Sequence, residues 1–189
     1  MEKEIIINEI IMPNIERKSV YVDSVQMHEG SPLFSWLEIN PTELCNRLCT
    51  FCPRVEPDEY PNQNLNMSVD LAKKIANELN ELNYKGGVVF SGYGEPLLNP
   101  DILSIIKEFG DIYVEVITNG DSLDEEKITA LFESGLNTIV VSLYDGEFQI
   151  DKFHKLFKAA GISKEKYILR NRWFAEDVDF GVLLTNRSG

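Results

Sequence analysis

The chain is organised around one short segment, Cys45-Asn46-Arg47-Leu48-Cys49-Thr50-Phe51-Cys52. All three cysteines of the 189-residue sequence lie in this segment. An odd number of closely spaced cysteines is typical of metal binding or redox chemistry rather than of a disulfide framework. The segment therefore predicts a site that uses three thiolates at one point.

Length and composition indicate a single folded domain with a proper hydrophobic core, since 43% of the residues are hydrophobic and 26% are charged. The formal net charge of -13 disfavours nucleic acid and anionic lipid as partners, because a field of this sign repels phosphate groups. No apolar run approaches the ~20 residues that cross a bilayer, and the first residues lack the pattern of a signal peptide. We therefore expect a cytoplasmic protein that does not bind membranes.

Strand and helix patterns alternate along most of the chain. Predicted strands cover residues 33–40, 88–90, 112–117, 138–143 and 167–170, and predicted helices cover residues 68–82, 100–109, 124–134 and 148–160. Strands that alternate with helices of this length predict a parallel α/β sheet that curls toward a barrel. Residues 180–184 are a candidate for one further strand. Residues 1–32 are expected to form an N-terminal extension with short strands at 4–11 and 19–27 and a turn at 29–32, and residues 33–189 the core domain.

Individual residues predict the ends of the helices. Ser68 is expected to cap the first helix, and Gly86 to close it. Asn99 is expected to cap the second helix. The apolar pattern of the last helix consists of Phe148, Phe153, Leu156 and Phe157.

Polar and glycine-rich segments follow the predicted strands. The cysteine segment comes directly after the first strand, and Gly92, Gly94 and Glu95 follow the second. Asn119 follows the third, and Ser142 lies near the end of the fourth. Because ligands gather at the carboxyl ends of parallel strands, we expect these residues to share one rim of the sheet.

The cysteine spacing leaves two kinds of metal site open. Structural zinc usually takes four ligands, so His28 or His154 would have to complete a site with the three thiols. An iron-sulfur cluster also normally takes four thiolates, so three would leave one iron open for a small chelating ligand. An open metal position is what a catalytic site needs.

Three motifs, taken together and in this order, resemble those of the radical S-adenosylmethionine (radical SAM) superfamily. They are the Cys45-x-x-x-Cys49-x-x-Cys52 spacing with Phe51 before the last cysteine, the segment Gly92-Tyr93-Gly94-Glu95-Pro96, and the serine-bearing strand end Ser142-Leu143-Tyr144-Asp145. The resemblance extends from about Trp36 to Leu143. This part of the chain is similar to the N-terminal core of a SPASM/twitch-type member of that superfamily.

This resemblance implies an α/β fold of the radical SAM type, a partial (β/α) barrel, in a radical SAM enzyme. It implies a 4Fe-4S cluster on Cys45, Cys49 and Cys52, with S-adenosylmethionine on the fourth iron. Reductive cleavage of that cofactor would give a 5'-deoxyadenosyl radical that abstracts hydrogen from a peptide or small-molecule substrate, with flavodoxin or ferredoxin as the reductant.

The resemblance also assigns the residues that would bind the cofactor. They are Phe51, Gly92, Gly94, Glu95, Asn119, Ser142 and Arg170. Glu95 would accept a hydrogen bond from the cofactor ammonium, and Phe51 would pack beside the adenine. Relatives often carry an arginine after the serine-bearing strand to hold the cofactor carboxylate, and residues 151–155 have none. Lys152, Lys155, Arg170 or Arg172 could substitute, and Arg170 is preferred because it lies at a strand end.

The family core has six strands, whereas the pattern predicts five, so we expect either a fragment or a minimal version of the domain. Two other functions remain open. One is a non-catalytic iron-sulfur or zinc-binding interaction module, and the other is an inactive fragment of a larger radical SAM enzyme.

Overall fold

A computed structural model describes residues 25–49 and 51–173, together with Glu16, Lys18 and Ser19. Predicted strands at residues 4–11 and 180–184 lie outside the described residues, as does most of the one at 19–27. A two-stranded antiparallel hairpin, β1 (Met27–His28) and β2 (Ser31–Pro32), precedes the main sheet. Its turn is formed by Glu29 and Gly30, both with positive φ (49° and 81°), as such tight hairpins require. The predicted turn at 29–32 is therefore shorter, because Ser31 and Pro32 belong to the second strand.

Five parallel strands form the main sheet, and they lie side by side in the order of the sequence. They are β3 (Trp36–Ile39), β4 (Gly87–Phe90), β5 (Tyr113–Thr118), β6 (Thr138–Leu143) and β7 (Tyr167–Asn171). This sequential order of parallel strands is the arrangement of a partial (β/α) barrel, as the sequence predicts. All the carboxyl ends of the strands therefore lie on one rim.

Four α-helices connect the strands. They are α1 (Val69–Glu81), α2 (Ile102–Glu108), α3 (Glu125–Glu133) and α4 (Phe148–Ala159). Short 3-10 helices lie at Pro53–Val55, Pro96–Leu98 and Lys164–Lys166. Among the described residues, no helix is long and apolar enough to span a membrane.

The two faces of the sheet differ in chemistry. On one face, alternate strand residues such as Val88, Val116 and Val141 are buried in one apolar core with the helices. Because side chains alternate across a strand, the residues between them point to the other face. That face carries polar residues, including Glu115 and Ser142, both almost fully buried. The interior of the partial barrel is thus polar enough to hold a charged ligand.

Two of the predicted helix ends differ in the structure. The first helix starts as predicted, with the Ser68 hydroxyl accepting a hydrogen bond from the Leu71 amide at 3.2 Å. It ends at Glu81, well before Gly86, and Asn83 supplies the left-handed residue (φ 49°) after it. The second helix begins at Ile102, so Asp101 rather than Asn99 occupies its N-cap position, and the Asp101 side chain makes no capping hydrogen bond.

Tertiary contacts explain the shifted start of α2. The Asn99 side-chain amide donates hydrogen bonds to the carbonyls of Pro41 (2.8 Å) and Met67 (3.1 Å), while its oxygen accepts from the Asp101 amide (2.8 Å). Asn99 therefore holds the segment after β3 and also the turn that leads into the helix. Phe148, the first residue of α4, is 66% exposed, whereas Phe153 and Phe157 of the same apolar pattern are buried in the core.

Candidate active site

A cavity of about 390 Å³ opens at the carboxyl ends of the strands. All ten residues predicted for the site line it: Cys45, Phe51, Cys49, Cys52, Gly92, Gly94, Glu95, Asn119, Ser142 and Arg170. They come from four strand ends and the cysteine segment, and the parallel sheet brings them together. The roles assigned to the individual residues remain predictions.

The three cysteines are partly exposed and free of disulfide bonds. The Cys52 amide donates a hydrogen bond to the Cys49 carbonyl at 2.9 Å, which keeps these two cysteines close together in space. The Asn62 side chain holds the first one, because its amide donates to the Cys45 carbonyl (3.0 Å) and its oxygen accepts from the Cys45 amide (2.9 Å). The backbone at Cys45 is therefore held in place, and all three cysteines line the cavity.

Burial raises the pKa of the Cys45 thiol above its ordinary value, and burial together with the nearby Cys45 does the same for Cys49. Both thiols are consequently protonated at neutral pH in the absence of a metal. Because cysteine ligates a metal as the thiolate and not as the thiol, loading of this site must release protons.

The thiol set fits an iron-sulfur cluster better than zinc. Within the described part of the chain, no three side chains of the metal-binding types converge on one point. Structural zinc takes four protein ligands, whereas a cluster that keeps one iron open needs only the three thiolates present here. The two histidines are engaged elsewhere, since His28 lies in the N-terminal hairpin and His154 Nδ1 lies 2.7 Å from the Tyr167 hydroxyl.

The glycine-rich loop after β4 requires its two glycines for different reasons. Gly92 has a φ of +127°, which disfavours a side chain, and a Cβ there would lie 2.7 Å from the Asn40 side-chain oxygen. Gly94 is limited by space, because a Cβ would lie 1.7 Å from the Thr42 carbonyl oxygen. The glycines thus let this loop pack directly against the segment that leads to the cysteines.

Glu95 is only 3% exposed, and protein donors surround its carboxylate. Oε1 accepts from the Thr118 hydroxyl (2.5 Å) and the Leu97 amide (3.2 Å), and Oε2 accepts from the Asn119 amide (2.8 Å). Burial raises the pKa of Glu95, and these three hydrogen bonds oppose the rise. Because a carboxylate oxygen has two lone pairs, Oε2 retains capacity for one donor from a ligand.

The Asn119 side chain links two segments of the rim. Its amide donates to Asn46 Oδ1 at 2.8 Å, and its oxygen accepts from the Asp121 amide at 2.9 Å. The asparagine therefore ties the end of β5 to the cysteine loop as well as lining the cavity.

Arg170 reaches across from β7 to β6, where its Nη2 donates to the Ser142 hydroxyl at 2.8 Å. The two residues are register partners in the parallel pair. Arg172 also lines the cavity, whereas Lys152 and Lys155 are exposed on α4. Of the four cations considered for the cofactor carboxylate, two arginines are thus at the cavity.

The Phe51 ring lies over Tyr144, with ring centroids 5.8 Å apart. Phe51 is 38% exposed, so it is not a core residue. Burial raises the pKa of Tyr144, which stays neutral at working pH. Together these rings form an apolar wall beside the cysteine loop.

Sequence patterns did not identify two arginines of the site, one within the cysteine segment and one just after it. Arg47 lies between two of the cysteines and forms ion pairs with Asp121 and Asp145. Arg54 is 2% exposed, and it donates to the Tyr93 carbonyl (2.5 Å) and to the Glu43 carboxylate (3.0 Å). The signal available in the sequence was their position next to the cysteines in a strongly acidic chain.

Comparison with known proteins identifies relatives of this chain. The family model of the Radical SAM superfamily matches residues 39–176. The S-adenosyl-L-methionine-dependent 2-deoxy-scyllo-inosamine dehydrogenase of Niallia circulans is 30% identical in an alignment 168 positions long, which covers 83% of this chain and 60% of that protein. The chain thus spans less than two thirds of the length of this curated relative.

Solved structures give the same picture. BtrN in complex with AdoMet and 2-DOIA superposes with a TM-score of 0.62 at 28% identity, covering 74% of this chain and 57% of that one. BtrN in an open conformation superposes with a TM-score of 0.56 at 26% identity, with 74% and 56% coverage. The partial barrel therefore has the fold of radical SAM enzymes.

Proposed function

Because this chain belongs to the Radical SAM superfamily, we propose that Cys45, Cys49 and Cys52 hold a 4Fe-4S cluster and that the adjoining cavity binds S-adenosylmethionine. Enzymes of this family use both cofactors. The observation that carries the proposal is the single cavity of about 390 Å³ lined by the three thiols and by residues from four strand ends. Held by these residues, the cluster would pass an electron from an external reductant to S-adenosylmethionine, the chemistry by which enzymes of this family remove hydrogen from a substrate.

The residues of the chain bind and orient the cofactor. The thiols of the cysteine loop lose their protons as the cluster is loaded. The free acceptor position on Glu95 Oε2 binds the cofactor ammonium, a charge-assisted hydrogen bond in a buried site. Arg170 binds the cofactor carboxylate, with Ser142 beside it.

The remaining predicted residues shape the cavity. The exposed face of Phe51 packs against the adenine, and Tyr144 supports that ring from behind. Gly92 and Gly94 let backbone groups approach the cofactor closely. Asn119 holds the rim between β5 and the cysteine loop and reaches the same ligand.

The substrate we propose is a small polar molecule rather than a peptide. The matched relative from Niallia circulans is a dehydrogenase of 2-deoxy-scyllo-inosamine. The cavity also carries polar groups that the cofactor roles do not use, among them Glu38, Ser91 and Arg172. These groups suit hydroxyl and amino substituents. A flavodoxin or ferredoxin serves as reductant, and the net charge of -13 disfavours nucleic acid and membrane partners.

The test is anaerobic reconstitution of the chain with iron and sulfide, followed by addition of S-adenosylmethionine and a reductant. We expect 5'-deoxyadenosine from the wild type and none from Cys49→Ala. Bound iron without 5'-deoxyadenosine would instead support the non-catalytic iron-sulfur module, which family membership does not favour.

A further inference from the structure

We propose that Arg47 is a positioning residue: its guanidinium, shared between Asp121 and Asp145, fixes the cysteine loop against the ends of β5 and β6. This inference rests on the proposed function, because it concerns how the cluster ligands are held. It assigns a role to a residue that lies between two of the cysteines and is not itself a metal ligand.

The contacts of Arg47 form two forked ion pairs. Nε and Nη2 donate to the Asp121 carboxylate at 2.6 and 2.5 Å, and Nη1 and Nη2 donate to the Asp145 carboxylate at 2.7 and 2.7 Å. The two aspartates are 74 and 98 positions away in the sequence. One side chain therefore joins the cysteine loop to two strand ends.

Both carboxylates are anchored in turn. Asp121 also accepts from the Asn46 side-chain amide at 2.8 Å. Asp145 accepts from the Gln149 side chain at 2.8 Å and donates its own amide to the same side chain at 2.9 Å. Because Gln149 is 3% exposed on α4, the aspartate is fixed to the body of the domain.

The hydrogen bonds use all but one of the N–H groups of the guanidinium. Arg47 lines the cavity, yet it has little capacity left to bind a ligand. Arg47 therefore suits a positioning role better than a direct contact with the cofactor. This role also requires arginine, since a lysine ammonium is a point charge that cannot form two planar forks.

The Arg47 side chain is more protected from solvent than its two partners, because the Asp121 and Asp145 side chains are 32% and 44% exposed. It is 19% exposed, and its guanidinium lies 5.5 Å from the centroid of the Tyr144 ring. The same ring packs on Phe51. Arg47 therefore holds both the loop and the aromatic wall beside the thiols.

The test compares wild type, Arg47→Gln, Arg47→Lys and Asp145→Asn, with Lys74→Gln as control. Lys74 forms only an exposed pair with Glu78 at 3.9 Å on α1. In the apo chain, hydrogen exchange of the amides at residues 45–49 should be roughly tenfold faster in Arg47→Gln, with a smaller change in Asp145→Asn, which keeps one fork. Lys74→Gln should exchange like wild type.

A second readout uses the reconstituted chain. Arg47→Gln should take up less iron and lose the change in the cluster EPR signal on addition of S-adenosylmethionine, and Arg47→Lys should recover only part of either. If Arg47→Gln lowers the thermal stability but leaves exchange, iron content and EPR signal as in wild type, the inference is wrong.

The two proposals fail differently. A wild-type chain that takes up no cluster would contradict the proposed function, and the exchange measurement on the apo chain would still decide the role of Arg47. If Arg47→Gln does not fold, Asp145→Asn gives the same comparison with a milder change.

Discussion

Arg170 on β7 donates a hydrogen bond to the Ser142 hydroxyl on β6 at 2.8 Å, across directly paired positions of the parallel sheet. Ser142 is 1% exposed, so this contact is protected from solvent competition. Tyr144 is a second hydrogen-bonding partner of this hydroxyl. Arg170 therefore carries the positive charge that a cofactor carboxylate would need, and Ser142 fixes the position of that charge.

Arg170→Ala should weaken binding of S-adenosylmethionine by the reconstituted chain about tenfold or more, since hydrogen bonds to charged groups contribute ~1.5–3 kcal/mol. Ser142→Ala should have a smaller effect, and the double variant should lose less than the two changes together, because they share one contact. Calorimetric titration measures each affinity. Lys155→Ala, on the exposed side of α4, is the control. An unchanged affinity in Arg170→Ala would remove this residue from the site.

Glu95→Gln should destabilise the apo chain by about 1–3 kcal/mol. The carboxylate now accepts hydrogen bonds from the Thr118 hydroxyl and from the Asn119 and Leu97 amides. A glutamine would place its own NH2 donor against one or more of these donors. Urea denaturation gives the difference, with the exposed Glu133→Gln as reference. Equal midpoints for the two variants would mean that the hydrogen bonds to Glu95 contribute nothing to stability.

The pairing of Asp145 with Arg47 predicts a pH dependence of stability. Arg47 holds the pKa of Asp145 below its ordinary value. The stabilisation from this pair is therefore fully present above the unfolded pKa of about 4 and is lost as pH falls through the lower folded value. In thermal melts of the apo chain, wild type should lose stability toward acid more steeply than Asp145→Asn. Parallel curves for the two proteins would contradict the linkage.

Gly94→Ala should destabilise the chain by about 3 kcal/mol or more, because its Cβ would lie 1.7 Å from the Thr42 carbonyl oxygen, a backbone atom. Gly161→Ala is the matched comparison. Gly161 has a φ of +71° but open space around it, so only the backbone strain of about 1 kcal/mol applies. Thermal melts of both variants compare them, and similar losses would show that the loop adjusts to the extra carbon.

Local sequence patterns were sufficient for the sheet and for the rim. Each strand is a short apolar run bounded by a glycine or a polar tip, so its position was visible without tertiary information. The order of the strands follows from the alternation with helices, because each crossover returns to the neighbouring position. The ten predicted site residues reach one cavity for the same reason: each follows or ends a parallel strand.

Long-range contacts explain what the sequence did not predict. Nothing near Arg47 in the sequence identifies Asp121 and Asp145 as its partners. Asn99 is of a residue type that caps helices, and its oxygen accepts the Asp101 amide before α2, but its side-chain amide also donates to the distant carbonyls of Pro41 and Met67. In both cases the side chain satisfies groups that only the folded sheet brings near it.

The iron content of wild type and Cys49→Ala after anaerobic reconstitution tests the central claim most directly. We predict about four iron atoms per wild-type chain, with the brown absorbance of a 4Fe-4S cluster, and a near-complete loss of both in Cys49→Ala. A Cys49→Ala protein with the iron content and absorbance of wild type would contradict the assignment of the three cysteines as cluster ligands.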